Sequence, residues 1–256
     1  MYRLEPAQLM LCYDGTLEGF FSVVFEAYCR HAFPEQICTE HMAQPSLGQQ
    51  VVSVKTDLSR AERVRVGLAS RAGRKFFTTV KTAFLSDAPG KEMQLFSYIV
   101  KGMNEGYRAV NDLSVPCVAA VERLAASVLS EREKVYQFLR FEQLENGVFF
   151  ARINPKAAVL PIAMEHFVER FSIQPFVIYD EAHGMAGVYD LHKTTLVLTD
   201  EVASFDRAKE EREFQALWKR FYDSVSHDQR YNPSLRTSLM PQRFWKNMVE
   251  FKAAVE

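Results

Sequence analysis

Apolar residues fall along this chain in two alternating rhythms. A short apolar run, Leu9 to Tyr13, reads as a strand, and Asp14-Gly15 after it is a turn signal. The Thr16 hydroxyl can cap a following helix, with Glu18 in its first turn. Phe20, Val24, Ala27 and Tyr28 then share one face. Pro34 and Pro45 mark a loop region, and Val51 to Val54 reads as a second strand. After Asp57 the spacing of Leu58, Ala61, Val64 and Leu68 predicts a helix. Residues 74–129 read as mostly helical, with breaks at Pro89-Gly90 and Val115-Pro116.

The rhythm then changes. Val135 to Phe141 reads as strand-like. Asn146-Gly147 signals a hairpin, because both residues tolerate positive φ, and Val148 to Ile153 is the returning strand. Asn154-Pro155 opens a turn into a helix running to about Phe171, with Pro161 in its first turn. Phe176 to Asp180, Ala186 to Tyr189 and Thr194 to Thr199 predict three more strands. Phe205 to Ser226 reads as helical, Arg230 to Leu239 as a polar loop, and a last helix is expected from Pro241. The implied class is α+β: an antiparallel sheet with a packed helix in the middle of the chain, flanked by N-terminal α/β and largely helical segments. Two regions are expected, 1–130 and 131–256.

Composition narrows the function classes. The 256 residues have a formal net charge of -1, so any polyanion surface must be local. The four cysteines, Cys12, Cys29, Cys38 and Cys117, form no Cys-x-x-Cys pair and suit free thiols in a reducing cytoplasm. No secretory signal is visible, and no apolar stretch approaches the ~20 residues needed to span a bilayer. The expected location is cytoplasmic.

Charge is concentrated in two places. Between residues 55 and 81, Lys55, Arg60, Arg63, Arg65, Arg71, Arg74, Lys75 and Lys81 face only Asp57 and Glu62, a net of +6. Such a cluster can neutralise phosphates, or it can be a solvated helix face with carboxylate partners elsewhere. Near the C-terminus, Arg230, Arg236, Arg243 and Lys246 interleave with Tyr231, Phe244 and Trp245. Cations beside aromatic rings suit exposed bases, although these rings can equally be core and the arginines can pin a loop.

Catalytic signals are sparse. Asp14 and Glu18 are paired carboxylates at a strand-to-helix junction, where capping also explains them. His166 lies on a helix, and Asp180, Glu181 and His183 gather in a turn. No phosphate-binding loop, dinucleotide fingerprint, nucleophile elbow or His-Glu-x-x-His motif occurs. No metal site and no cofactor are expected, and the chain leans away from self-contained catalysis.

Three stretches carry a resemblance. They are Tyr13-Asp14-Gly15-Thr16-Leu17-Glu18-Gly19-Phe20 with Phe25-Glu26-Ala27-Tyr28; Phe138-Leu139-Arg140-Phe141 with Ala151-Arg152-Ile153, His166 to Phe171, Gln174-Pro175-Phe176 and Val188-Tyr189-Asp190; and Arg230 to Leu235 with Met240 to Lys246. Together they resemble the bacterial family labelled "probable DNA metabolism protein", a domain of unknown function, along the whole chain. The resemblance implies a DNA-linked role beside a radical S-adenosylmethionine protein thought to modify or repair DNA. In some relatives the domain is joined to a uracil-DNA-glycosylase-like domain. This chain stops soon after Trp245, so no appended glycosylase is expected. It also lacks Cys-x-x-x-Cys-x-x-Cys, so iron-sulfur chemistry would belong to the partner. The expected function is an accessory protein binding DNA, the partner enzyme or both. The alternatives are a glycosylase- or nuclease-like enzyme using Asp14, Glu18, His166 and Asp180, and a protein-protein scaffold.

Overall fold

The computed structural model describes residues 4–199, 206–225 and 232–251. It divides into two compact units, Met1–Val128 and Leu129–Glu256, and the division falls within one long helix.

The first unit is built on a three-stranded parallel sheet, ordered β2-β1-β3. Strand β1 (Glu5–Tyr13) is central, and Leu9 to Tyr13 are all buried. An unbroken apolar run, rather than an alternating one, is what a strand covered on both faces requires. Helix α1 (Leu17–Cys29) returns the chain to β2 (Ala32–Thr39), and β3 (Gln50–Ser53) lies on the other side of β1. Pro34 is therefore not in a loop. It sits in β2, an edge strand, where its missing N–H costs no interior ladder bond, beside a bulge between Ala7 and Met10. Helices α2 (Leu58–Arg71), α3 (Gly73–Phe84) and α4 (Lys91–Glu105), with the start of α5 (Pro116–Phe138), complete the unit. Its core runs from Leu9, Leu11 and Tyr13 through Phe20, Phe76 and Phe96. The Phe76 ring stacks on Tyr98 at 4.1 Å and lies against Gly102, where a Cβ would come within 2.4 Å of it.

The strand expected at Val135 to Phe141 does not form. Helix α5 continues to Phe138 because Val121, Ala125, Val128, Val135 and Leu139 are buried at helical spacing. The hairpin is made instead by β4 (Glu142–Gln143) and β5 (Phe149–Ile153), with Gly147 at φ 81° in its turn.

The second unit's sheet has the order β4-β5-β6-β7-β8, with β6 Phe176–Asp180, β7 Met185–Tyr189 and β8 Thr194–Leu198. It is mostly antiparallel. The exception is β5 with β6, which are parallel because α6 (Leu160–Arg170) crosses over between them. Gly187 lets α6 approach β7: a Cβ there would meet Met164 Sδ at 2.4 Å. The mixed α+β class, with a helix packed on this sheet, is what the chain adopts.

The C-terminal part differs from its pattern. Helix α7 spans Lys209–Val225; Phe205 and Ser226 lie outside the described residues. The stretch expected to be a polar loop holds α8 (Pro233–Leu239). Asn232 accepts from Leu235 N at 3.0 Å and Pro233 takes the first helical position, so an Asn-Pro pair that reads as a turn here starts a helix. After Pro241 the described residues make two short 3-10 segments, Gln242–Asn247 and Val249–Phe251, in place of a helix. Among the described residues, no helix is long and apolar enough to cross a membrane.

Candidate nucleic-acid interface

The basic run starts at Lys55, between β3 and α2, and continues along α2 and α3. Its charges separate into two groups by what they touch. Arg60 is held between Glu26 (3.2 Å) and Asp57 (3.3 Å). Arg65 forms a close two-pronged pair with Glu62 three residues earlier, which pulls the Glu62 carboxyl below its ordinary pKa. Arg71 donates to the Met103 carbonyl at 3.1 Å. The remaining five, Lys55, Arg63, Arg74, Lys75 and Lys81, are exposed and make no ion pair with a described residue. Arg63 and Lys81 keep their charge in solvent while covering the Phe25 and Phe77 rings, at 4.8 and 5.7 Å.

Arg74 and Lys75 are the most unusual of the five. They occupy the first turn of α3, where Ala72 provides no side-chain cap and no acidic residue is present. Cations there oppose the helix dipole, whose positive end favours anions. The side chains make the site electropositive; the backbone adds little, because Ala72 also ends α2, whose negative end abuts this helix start. Lys81 stands near the far end of the same helix, about 10 Å away at 1.5 Å per residue.

The C-terminal cations are engaged within the fold. Arg243 clasps Glu131 at 2.5 and 2.6 Å, and Glu131 also accepts from Lys156 N at 2.9 Å. Burial pushes the Glu131 carboxyl up, but these donors outweigh it and hold its pKa below the ordinary value. Lys246 pairs with Glu181, and Arg236 lies over the Trp245 and Phe251 rings at 5.0 and 5.2 Å. Phe244 is buried, and Trp245 stacks on Phe251 at 4.8 Å. Arg230 and Tyr231 lie outside the described residues.

The acid/base candidates serve local structure. Asp14 follows β1 directly and accepts from Thr16 N (2.9 Å), Thr16 Oγ1 (2.7 Å) and Thr56 Oγ1 (2.7 Å). Desolvation raises its pKa, yet the bonds from Thr56 and Thr16 prevail and lower it. Thr16 caps α1 by accepting from Gly19 N at 2.9 Å, and Glu18 lies in the first turn of that helix. In the second unit His166 stacks on Tyr136 at 4.0 Å. Asp180 is wholly buried at the β6–β7 turn, where it accepts from Ala182 N at 3.1 Å and meets His183 Nδ1 at 2.7 Å. His166 and Asp180 thus serve separate neighbours, a ring on α5 and a turn between strands. No group of three or more His, Cys, Asp or Glu placed to hold a metal occurs among the described residues.

Two features escaped the linear pattern. Thr56, just past β3, donates to Asp14, just past the neighbouring β1, and so ties the two strand ends together. The second unit also holds a cleft of about 810 Å³ lined by five basic residues, Arg140, Arg152, Arg207, Lys209 and Arg212, and three acidic ones, Glu142, Glu145 and Asp206. Both signs line it, and Arg140 and Arg207 are already bound to Glu250 and Glu142 at 2.8 Å, so it offers a polyanion no uniform field.

A family model described as a domain of unknown function, DUF4130, matches residues 89–250. The chain belongs to that family. The DUF4130 segment takes in α4 through the C-terminal 3-10 turns and leaves the Lys55–Lys81 run outside it. No curated protein matches. Among solved structures, one titled as the DHH domain of a member of a ribosomal-protein family is similar at 12% identity over 73% of each chain, with a TM-score of 0.31. That likeness is too slight to carry an argument about function.

Proposed function

We propose that this DUF4130 protein is an accessory factor of DNA metabolism that grips a nucleic-acid backbone on the outward faces of α2 and α3. It would act beside a partner enzyme, in the first place the radical S-adenosylmethionine protein that the resemblance implies. One observation carries the reading. Five exposed cations, Lys55, Arg63, Arg74, Lys75 and Lys81, lack carboxylate partners among the described residues, in a protein of net charge -1. Two of them crowd an uncapped helix start. Cations so placed repel one another and are relieved by phosphate, with release of condensed counterions. Contacts of this kind position a duplex without reading its sequence, which suits a protein that presents DNA to another enzyme.

A pull-down of the tagged chain from its own cell extract, with and without nuclease, tests the proposal. The partner and DNA should both be captured, and nuclease should remove the DNA and leave the partner. Capture of protein alone, indifferent to nuclease and with no DNA in the untreated sample, supports a protein-protein scaffold and overturns the nucleic-acid half.

A further inference from the structure

Helix α7 turns only part of its apolar surface inward. Trp218 Nε1 donates to Glu250 at 3.3 Å and the Tyr222 ring meets Phe251 at 6.0 Å, while Glu211 accepts from Gln143 N at 3.0 Å. The adjoining face carries Phe214, Leu217, Phe221 and Val225, spaced three, four and four, which is one line along a helix. These four remain 68, 59, 56 and 53% exposed. Four large apolar side chains in a row are not the scattered singles of an ordinary surface.

The charges beside this line say what covers it. Glu213 and Arg220 stand two turns apart on the same edge, and neither forms an ion pair with a described residue. Their midpoint falls beside Leu217, as does the midpoint of Phe214 and Phe221. We infer that α7 packs antiparallel against α7 of a second copy of this chain, about a two-fold axis at Leu217. That axis sets Phe214 against Phe221 of the second copy and Leu217 against itself. It also sets Glu213 against Arg220, twice by symmetry. A parallel alignment would place glutamate on glutamate and arginine on arginine, so charge selects the antiparallel one. The exposed side chains and their polar flanks supply about 1,000 Å² in total, at the small end of specific interfaces, which suits a reversible dimer.

Sedimentation velocity of the full chain from about 1 to about 100 μM tests this. The native chain should pass from monomer to dimer across that range. Arg220→Glu and Glu213→Arg, both at exposed positions, should each weaken the dimer at least about ten-fold. The double exchange, which restores opposite charges, should return it to within about three-fold of the native strength. A monomer throughout, or a dimer indifferent to both single exchanges, overturns the inference.

Discussion

Glu131 shows how one residue's role is decided by a partner far along the chain. Its side chain is 5% exposed and clasps Arg243 across 112 residues of sequence. Removing one member of a buried ion pair leaves the other charge uncompensated, which costs about 3 kcal/mol. Glu131→Gln should lower stability by about that amount in urea unfolding at neutral pH. The pH dependence follows from the depressed carboxyl. A group whose folded pKa lies below its unfolded value adds stability above the unfolded pKa and loses it as pH falls through the folded one. The native chain should therefore lose stability below about pH 4.3, the ordinary glutamate value, more steeply than Glu131→Gln does. Arg243 was legible in the sequence as a cation near aromatic rings. Its commitment to Glu131 was not, because nothing local marks which distant carboxylate meets it. Arg63, Arg74 and Lys75 were legible as members of a basic cluster and make no ion pair with a described residue.

At the scale of elements, local chemistry was readable wherever it was self-sufficient. Thr16 caps α1 as its position implied, α2 begins after Asp57 as expected, and Asn146-Gly147 turns a hairpin. The pattern failed where two local meanings compete. Val135 to Phe141 is rich in strand formers, but α5 was already running and its buried stripe continued through Val135. Asn232-Pro233 can make a turn or begin a helix, and backbone donors downstream chose the helix. Pro34 punctuates a loop in most settings, but not on an edge strand. The junction of β1 with α1 offers a sharp test of packing. A Cβ on Gly19 would come within 2.2 Å of Asp14 Oδ1 and 2.8 Å of Thr56 Oγ1. Asp14 could escape only by giving up its bonds to Thr16 and Thr56. Gly19→Ala should therefore cost about 2 kcal/mol, read as a lowered thermal midpoint, despite alanine's better helix propensity.

For the molecule as a whole, near-neutral net charge conceals an uneven distribution. In the first unit five cations without an ion pair among the described residues fall within the 27 residues from Lys55 to Lys81, whereas the second unit's cleft mixes both signs and Arg243 and Lys246 are paired to carboxylates. The run was visible in sequence as a surplus of six charges. Which five stay uncompensated required the fold, since Arg60 is neutralised partly by Glu26, 34 residues away. The proposed role has these five meet phosphate. It is tested most directly by the salt dependence of affinity for a short duplex, measured by fluorescence anisotropy. Five phosphate contacts predict a slope of log affinity against log salt of about −4.5. Replacing Arg63, Arg74 and Lys75 together by Gln should flatten it by about 2.7, whereas Arg65→Gln, already paired to Glu62, should change it little. No binding at low salt, or a slope unmoved by the triple replacement, would contradict the account.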